Sequence, residues 1–225
     1  MSHSAPALPM KGALALKVFI VFAFAYVLSY AFRSVNAVIA PELMADLKIS
    51  NAQLGLLSAA YFIGFSAMQI PLGIALDKFG VRRVESILLL MALAGTLVFA
   101  FSESLFGLTV GRLLIGVGVS ACLMAAFTAY RRWFAIEQQG QLASAMLVFG
   151  TVGALMTTVP VQCSLPYIGW RGVFLVMAIL VLIGFIGIRF GLPKFDDHPH
   201  VNNEPLSSDH QPIGLKDIFL NPFFL

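Results

Sequence analysis

The 225-residue chain is 59% hydrophobic and 11% charged, with a mean hydropathy of +0.90, whereas a soluble domain carries about 25% charged residues. This excludes an apolar core hidden under a charged, soluble surface and makes a lipid bilayer the natural solvent. The net charge of +3 is small and is spread by position along the chain, so it gives no ground for a nucleic-acid partner.

Residues 1–17 are expected to be a cytoplasmic N-terminal segment. The apolar run after Lys17 is too long for the apolar stretch of a cleaved signal, and a second spanning segment follows it. Six transmembrane helices are predicted over 18–40, 50–76, 84–101, 104–130, 139–163 and 171–190, giving an all-α polytopic membrane bundle at 18–192. Residues 193–212 are rich in Asp, His, Asn, Ser and Pro and are expected to form a cytoplasmic linker. Residues 213–225 are expected to form an amphipathic segment and the start of a truncated seventh helix, so that a second half is missing. The alternative is a terminal surface helix with nothing missing.

A cytoplasmic N-terminus places Lys11, Lys17, Lys78, Arg82, Arg83, Arg131, Arg132, Arg189, Lys194 and Lys216 inside, and leaves Lys48 and Arg171 outside with Glu42, Asp46 and Glu103. That asymmetry follows the positive-inside rule and suits a bacterial inner membrane. Cys122 and Cys163 fall at opposite depths, so no disulfide is expected, and neither belongs to a metal-ligand spacing. No cofactor or metal is expected.

Polar side chains are costly in lipid and point inward. In the first span Tyr26, Ser29, Tyr30, Arg33 and Asn36 share one helical face. The second offers Ser58, Tyr61 and Gln69, the fourth Arg112, and the fifth Ser144, Thr151, Thr158 and Gln162 on a narrow face. The third and sixth are nearly bare of polar side chains away from their ends. The order lined, lined, bare, used twice, suggests two three-helix repeats, a transporter pattern. Gly107, Gly111, Gly116, Gly118, Gly150 and Gly153 supply thin surfaces for close helix packing. The six spans are expected to hold no Asp, Glu or His, so Arg33 and Arg112 lack an internal counter-ion. Both are expected about 10–12 Å below the outer surface. Arg33 then either snorkels toward Glu42 or Asp46, or takes its counter-ion from a small-molecule substrate. Arg112 either joins an anion site or satisfies carbonyls of the first span and braces the bundle. Arg33, Tyr30, Tyr26, Asn36, Tyr61, Gln69, Arg112 and Gln162 are the candidate substrate-lining residues; Ser and Thr on the same faces bond to their own helix just as readily.

Between the second and third spans lies a short charged hairpin, Gly73-Ile-Ala-Leu-Asp77-Lys78-Phe-Gly80-Val-Arg82-Arg83. It holds one carboxylate and several cations in a connection too short for a domain, which suits a latch better than a solvated linker. Gly73, Asp77, Lys78, Gly80, Arg82 and Arg83 match the loop between helices 2 and 3 of the major facilitator superfamily, and the chain resembles the amino-terminal six-helix half of that family. Gly111-Arg112-Leu-Leu-Ile-Gly116-Val-Gly118 is similar to its helix 4 motif, and Gly169-Trp170-Arg171 resembles the start of its helix 6. Tyr30-x-x-Arg33 resembles the anion:cation symporter and organophosphate antiporter branches, where an arginine at this place binds the anion. The resemblance implies rocker-type alternating access between two six-helix halves, with Asp77 latching against a helix of the other half and Arg112 bracing the bundle or contributing to proton coupling.

Secondary transport of a small organic anion is the function this pattern favours. Export of a neutral or cationic compound is the alternative, although the Gly-Pro motif of drug antiporters is absent from 150–154 and Pro160 lies too far along. A half-length remnant or assembly partner, with a second copy supplying the other wall, is a further one. An intramembrane protease is excluded because no histidine lies in a span to activate a serine.

Overall fold

The computed structural model describes residues 12–192. The expected linker at 193–212, the segment 213–225, most of the N-terminal segment and the cations Lys11, Lys194 and Lys216 lie outside the described residues. Among the described residues every regular element is helical: α1 Ala13–Leu47, α2 Asn51–Ala67, α3 Gln69–Phe79, α4 Val81–Phe101, α5 Leu105–Val119, α6 Cys122–Trp133 and α7 Ile136–Ile186, which runs on into a π-helical turn at Gly187–Gly191. Ala13–Leu47, Val81–Phe101, Leu105–Trp133 and Ile136–Gly191 are long and apolar enough to cross a membrane, and α2 with α3 adds a bent fifth.

The breaks have local causes. Pro71 lacks an amide donor and its ring crowds the carbonyl four residues back, at Ala67, so α2 and α3 meet at a 43° bend. Ser50 caps α2: its hydroxyl accepts from the Gln53 amide, and the Gln53 side-chain oxygen accepts from the Ser50 amide. Gly80 joins α3 to α4 at φ 79°, a region closed to most side chains.

The stretch 136–191 is not one rod. Fifty-six helical residues would reach about 84 Å, against roughly 30 Å of hydrocarbon. Gly169, at φ 63° and ψ 174°, interrupts it, and the contacts with α1 show that the chain reverses there. Going up α1, Phe19 meets Phe149, Tyr30 meets Gly153 and Asp46 meets Trp170. Going back down, Leu28 and Phe24 flank Gly184, and Val21 flanks Gly187 and Gly191. So α7 is a hairpin of two rods, 136–168 and 170–186, antiparallel to each other beside α1.

Helix packing interleaves the sequence repeat. α1 packs chiefly on α7, whereas α5 packs on α2 and α4, and α4 also meets α7. The α5 contacts are the tightest: a Cβ on Gly116 would run into the Tyr61 carbonyl of α2, and one on Gly118 into the Ala92 backbone of α4. The core is mainly apolar, with Phe22, Phe32, Phe99 and Phe174 fully buried, and it also encloses Arg112 and Glu85. Large apolar side chains such as Ile70, Phe106, Ile136 and Phe190 stand on the outside, the inverse of a soluble protein and the surface that lipid would cover.

Candidate functional site

The charged side chains collect at the two ends of the bundle. At one end Arg82 of α4 donates from Nε to the Arg189 carbonyl at 2.8 Å, with a second bond from Nη2 to the same oxygen. Arg189 lies in the last helical turn, where carbonyls lack an intrahelical partner. Beside it the Arg132 guanidinium at the end of α6 pairs with Asp77 of α3 at 3.3 Å. Gly80 turns this hairpin, whereas Gly73 lies inside α3 with open space beside it; Asp77, Lys78 and Arg83 are exposed. At the other end Asp46 accepts from Trp170 Nε1 at 3.0 Å and from Arg171 Nη1 at 2.6 Å, pinning α1 to the turn of α7. These two bonds hold the Asp46 carboxyl below its ordinary pKa, the Trp170 bond contributing most.

Between the ends lie two guanidinium groups. Arg112 of α5 is 1% exposed. It donates from Nη1 to the Phe32 carbonyl of α1 at 3.0 Å and lies over the rings of Phe99 and Phe174, 5.1 and 5.6 Å from their centroids. Its Nε and Nη2 are buried and have no hydrogen-bond partner. This is the bracing geometry: one cation ties α5, α1, α4 and the second rod of α7 together.

Arg33 of α1 is half-buried and has different neighbours. Its guanidinium carbon lies 4.9 Å from the ring centroid of Tyr30, 5.3 Å from that of Phe65 and 5.9 Å from that of Phe62. The Tyr61 hydroxyl is a polar neighbour and feels both Arg33 and Arg112. The Arg33 Nε is shut off from solvent with no hydrogen-bond partner. Among the described residues the ion pairs are Arg132–Asp77 and Arg171–Asp46, so Arg33 has no carboxylate partner. Asp46 is engaged by Trp170 and Arg171, and Arg33 forms an ion pair with neither Asp46 nor Glu42. A cation resting on aromatic faces is held in place without being neutralised.

The other predicted residues divide around this group. Tyr26 and Tyr30 meet edge to face at 5.0 Å and both pack on Gly150 of α7. Tyr61 joins the aromatic group through Phe62 and Phe65 and donates its hydroxyl to the Ser29 carbonyl at 3.3 Å. Asn36 donates to the Ser58 hydroxyl at 2.7 Å, and its own oxygen is buried without a partner. Gln69 is spent on the Phe65 carbonyl one turn back. Gln162 is exposed on α7, on the same face as the exposed Thr151 and Thr158. Arg33 and Arg112 rest on different rings, with the Tyr61 hydroxyl as a polar neighbour of both.

Two groups escaped the sequence reading. Phe62 and Phe65 complete the surroundings of Arg33, and a run of apolar residues carries no mark that would single them out. Glu85 overturns the expectation that no carboxylate lies in a span. It is 0% exposed in the second turn of α4, with Cys122 of α6 beside it and neither oxygen hydrogen-bonded. It falls inside the predicted span 84–101, so the sequence already held it there; what the sequence did not show is that its side chain is buried on α4.

The described residues thus form a polytopic helical bundle suited to a membrane, charged at both ends and holding an uncompensated cation between them. The family model described as the Major Facilitator Superfamily matches residues 22–225, and the chain belongs to that superfamily. It is 27% identical over 191 residues to a probable sulfoacetate transporter of Cupriavidus necator, covering 85% of this chain and 44% of that one. It is 27% identical to the hexuronate transporter of Escherichia coli, covering 79% and 41% of the two chains. It is 29% identical to the galacturonate transporter of Dickeya chrysanthemi, covering 70% and 46%. The chain thus spans less than half the length of these curated relatives, which are transporters and not enzymes.

Proposed function

We propose that this protein moves a small organic anion across the bacterial inner membrane by secondary active, alternating-access transport. Arg33 carries the proposal: it is a permanent cation at membrane depth, fixed on three aromatic rings and left without a carboxylate. An anionic substrate completes it. A carboxylate or sulfonate accepts two parallel hydrogen bonds from a guanidinium, an arrangement that gives direction as well as attraction. Tyr30 and Tyr61 orient the guanidinium, Asn36 lies one turn above it, and Gln162 with Thr151 and Thr158 lines the path from α7. Gln69 shapes the bend of α2 and α3, and Arg112 positions α1 from behind. The relatives named for sulfoacetate, hexuronate and galacturonate support an acidic substrate.

Counting α2 with α3, α5 with α6, and the two rods of α7 gives six spans, the proposed amino-terminal half. The exposed polar stripe of α7 then faces a second six-helix half, or a second copy, across the cavity. In that arrangement the hairpin Gly73–Arg83 lies at the cytoplasmic side and Asp77 serves the gate.

The test is uptake of labelled acetate-sized sulfonates and of uronates into vesicles carrying the complete gene product. Arg33→Ala is expected to weaken apparent affinity about 10–100-fold, the equivalent of one charged, paired hydrogen-bond contact, and Arg33→Lys to restore part of it. Unchanged anion uptake in Arg33→Ala, at equal protein level, would sink the assignment.

A further inference from the structure

A groove of about 480 Å³ runs between α1 and the two rods of α7. Phe24 and Leu28 of α1, Met156 and Val161 of the first rod, and Val173 and Met177 of the second form its walls, and no charged side chain lines it. Its direction follows from helical spacing. At 100° per residue, Gly153, Met156 and Pro160 fall on the opposite side of the first rod from Thr151, Thr158 and Gln162. The groove therefore faces away from the polar stripe, toward lipid. From Gly153 to Ile168 it follows about 22 Å of the rod, enough to accommodate the roughly 15 Å depth of one leaflet's hydrocarbon.

Its outer end is polar. Ile168 closes the groove and also lines a second cavity, of about 370 Å³, whose other walls are Glu42, Asp46, Gly169, Trp170 and Arg171. Arg171 is held by Asp46 yet its side chain stays 38% exposed. Glu42 has no ion pair among the described residues. An apolar slot thus ends beneath a cation and a free carboxylate, set side by side at the depth of the headgroups.

We propose that this groove is a phospholipid site. One acyl chain lies between α1 and the hairpin of α7, the phosphate sits on Arg171, and an ammonium headgroup sits on Glu42. The charge pair selects a zwitterionic headgroup with a small exposed ammonium, as in phosphatidylethanolamine, over an anionic one, which Glu42 repels. The proposal concerns the lipid face and does not depend on the substrate assigned above. Lipid held there would bind the two rods of α7 to α1.

Native mass spectrometry of the detergent-purified full-length protein, re-lipidated with phosphatidylethanolamine, phosphatidylcholine or phosphatidylglycerol, tests it. One molecule of phosphatidylethanolamine is expected to remain bound, with about tenfold preference over phosphatidylglycerol. Glu42→Gln is expected to erase that preference while leaving lipid bound. Val176→Trp, which projects a ring from a position already 49% exposed into the groove, is expected to displace the lipid. Equal retention of the three lipids by the wild-type protein, lipid retained unchanged in Val176→Trp, or a second protein copy filling the groove would each overturn the proposal. The headgroup comparison uses the wild-type protein alone and so stands even where a variant fails to fold.

Discussion

Arg112 and Arg33 are both guanidinium groups inside the same bundle, yet their surroundings differ in kind. Arg112 sits where α5 is pressed against α2 and α4, fully enclosed, with a carbonyl on one side and two phenyl rings on the other. Arg33 sits at the open seam of α1 and α2, half-buried, with aromatic rings beneath it and no acceptor fixed in place. A buried cation that already bonds a backbone carbonyl holds the fold together. One that is oriented but left uncompensated is available to a ligand. The residue type is shared, and the packing around it separates the two roles.

The comparison breaks most easily at Arg112. Arg112→Ala removes the hydrogen bond to the Phe32 carbonyl and empties the space against Phe99 and Phe174. The expected loss is on the order of 3 kcal/mol, as for other large buried side chains cut to alanine. Thermal unfolding in detergent should show it as a large drop in Tm, and Arg112→Lys, which cannot lie flat on two rings, should recover little. The same experiment on Arg33→Ala should leave Tm nearly unchanged while anion affinity falls. A large Tm loss at Arg33 would make both arginines structural.

The α5 seam offers the next largest effect. Gly116→Leu would press a side chain into the Tyr61 carbonyl, and the expected destabilisation is about 1–3 kcal/mol. Because Tyr61 stands beside Arg33, the displacement should also weaken anion binding. A Tm loss with unchanged binding would show that α2 can shift without disturbing the Arg33 site.

The stripe Tyr26, Tyr30, Arg33, Asn36 was legible because helical spacing fixes which residues share a face, and Gly169-Trp170-Arg171 stood out through its resemblance to the family's entry to helix 6. Spacing does not say which neighbour a face meets. Nothing local announces that α1 packs on α7, or decides between the two readings of Arg112, whose bond to the Phe32 carbonyl is the bracing one. The Asp46–Trp170–Arg171 cluster joins residues more than a hundred positions apart, so no window of sequence contains it. Glu85 was overlooked although it lies inside the predicted span 84–101, and it belongs in space to the buried face of α4.

Smaller effects are expected where the charges meet water. The Asp77–Arg132 pair is exposed on the Asp77 side, and Asp77→Asn should cost no more than about 1 kcal/mol of stability. A much larger change in transport rate than in Tm would place Asp77 in the gate and not in the scaffold.

The smallest effect, and the most selective, concerns Asp46 at the opposite end. Hydrogen bonds from Trp170 and Arg171 hold its carboxyl below the ordinary value, which is about 3.9 for an unperturbed aspartate. A carboxylate depressed in the folded state contributes stability that is complete above its unfolded pKa and is lost as pH falls through the lower, folded one. Trp170 therefore reports directly, because its indole donates to the titrating oxygen. In a Trp133→Phe background, which leaves Trp170 as the single tryptophan, emission should stay constant from pH 7 down to about 4 and shift only below that. Asp46→Asn should abolish the shift. A transition centred at or above the ordinary aspartate value would mean that neither Trp170 nor Arg171 holds the carboxylate, and the pin between α1 and the turn of α7 would fall with it.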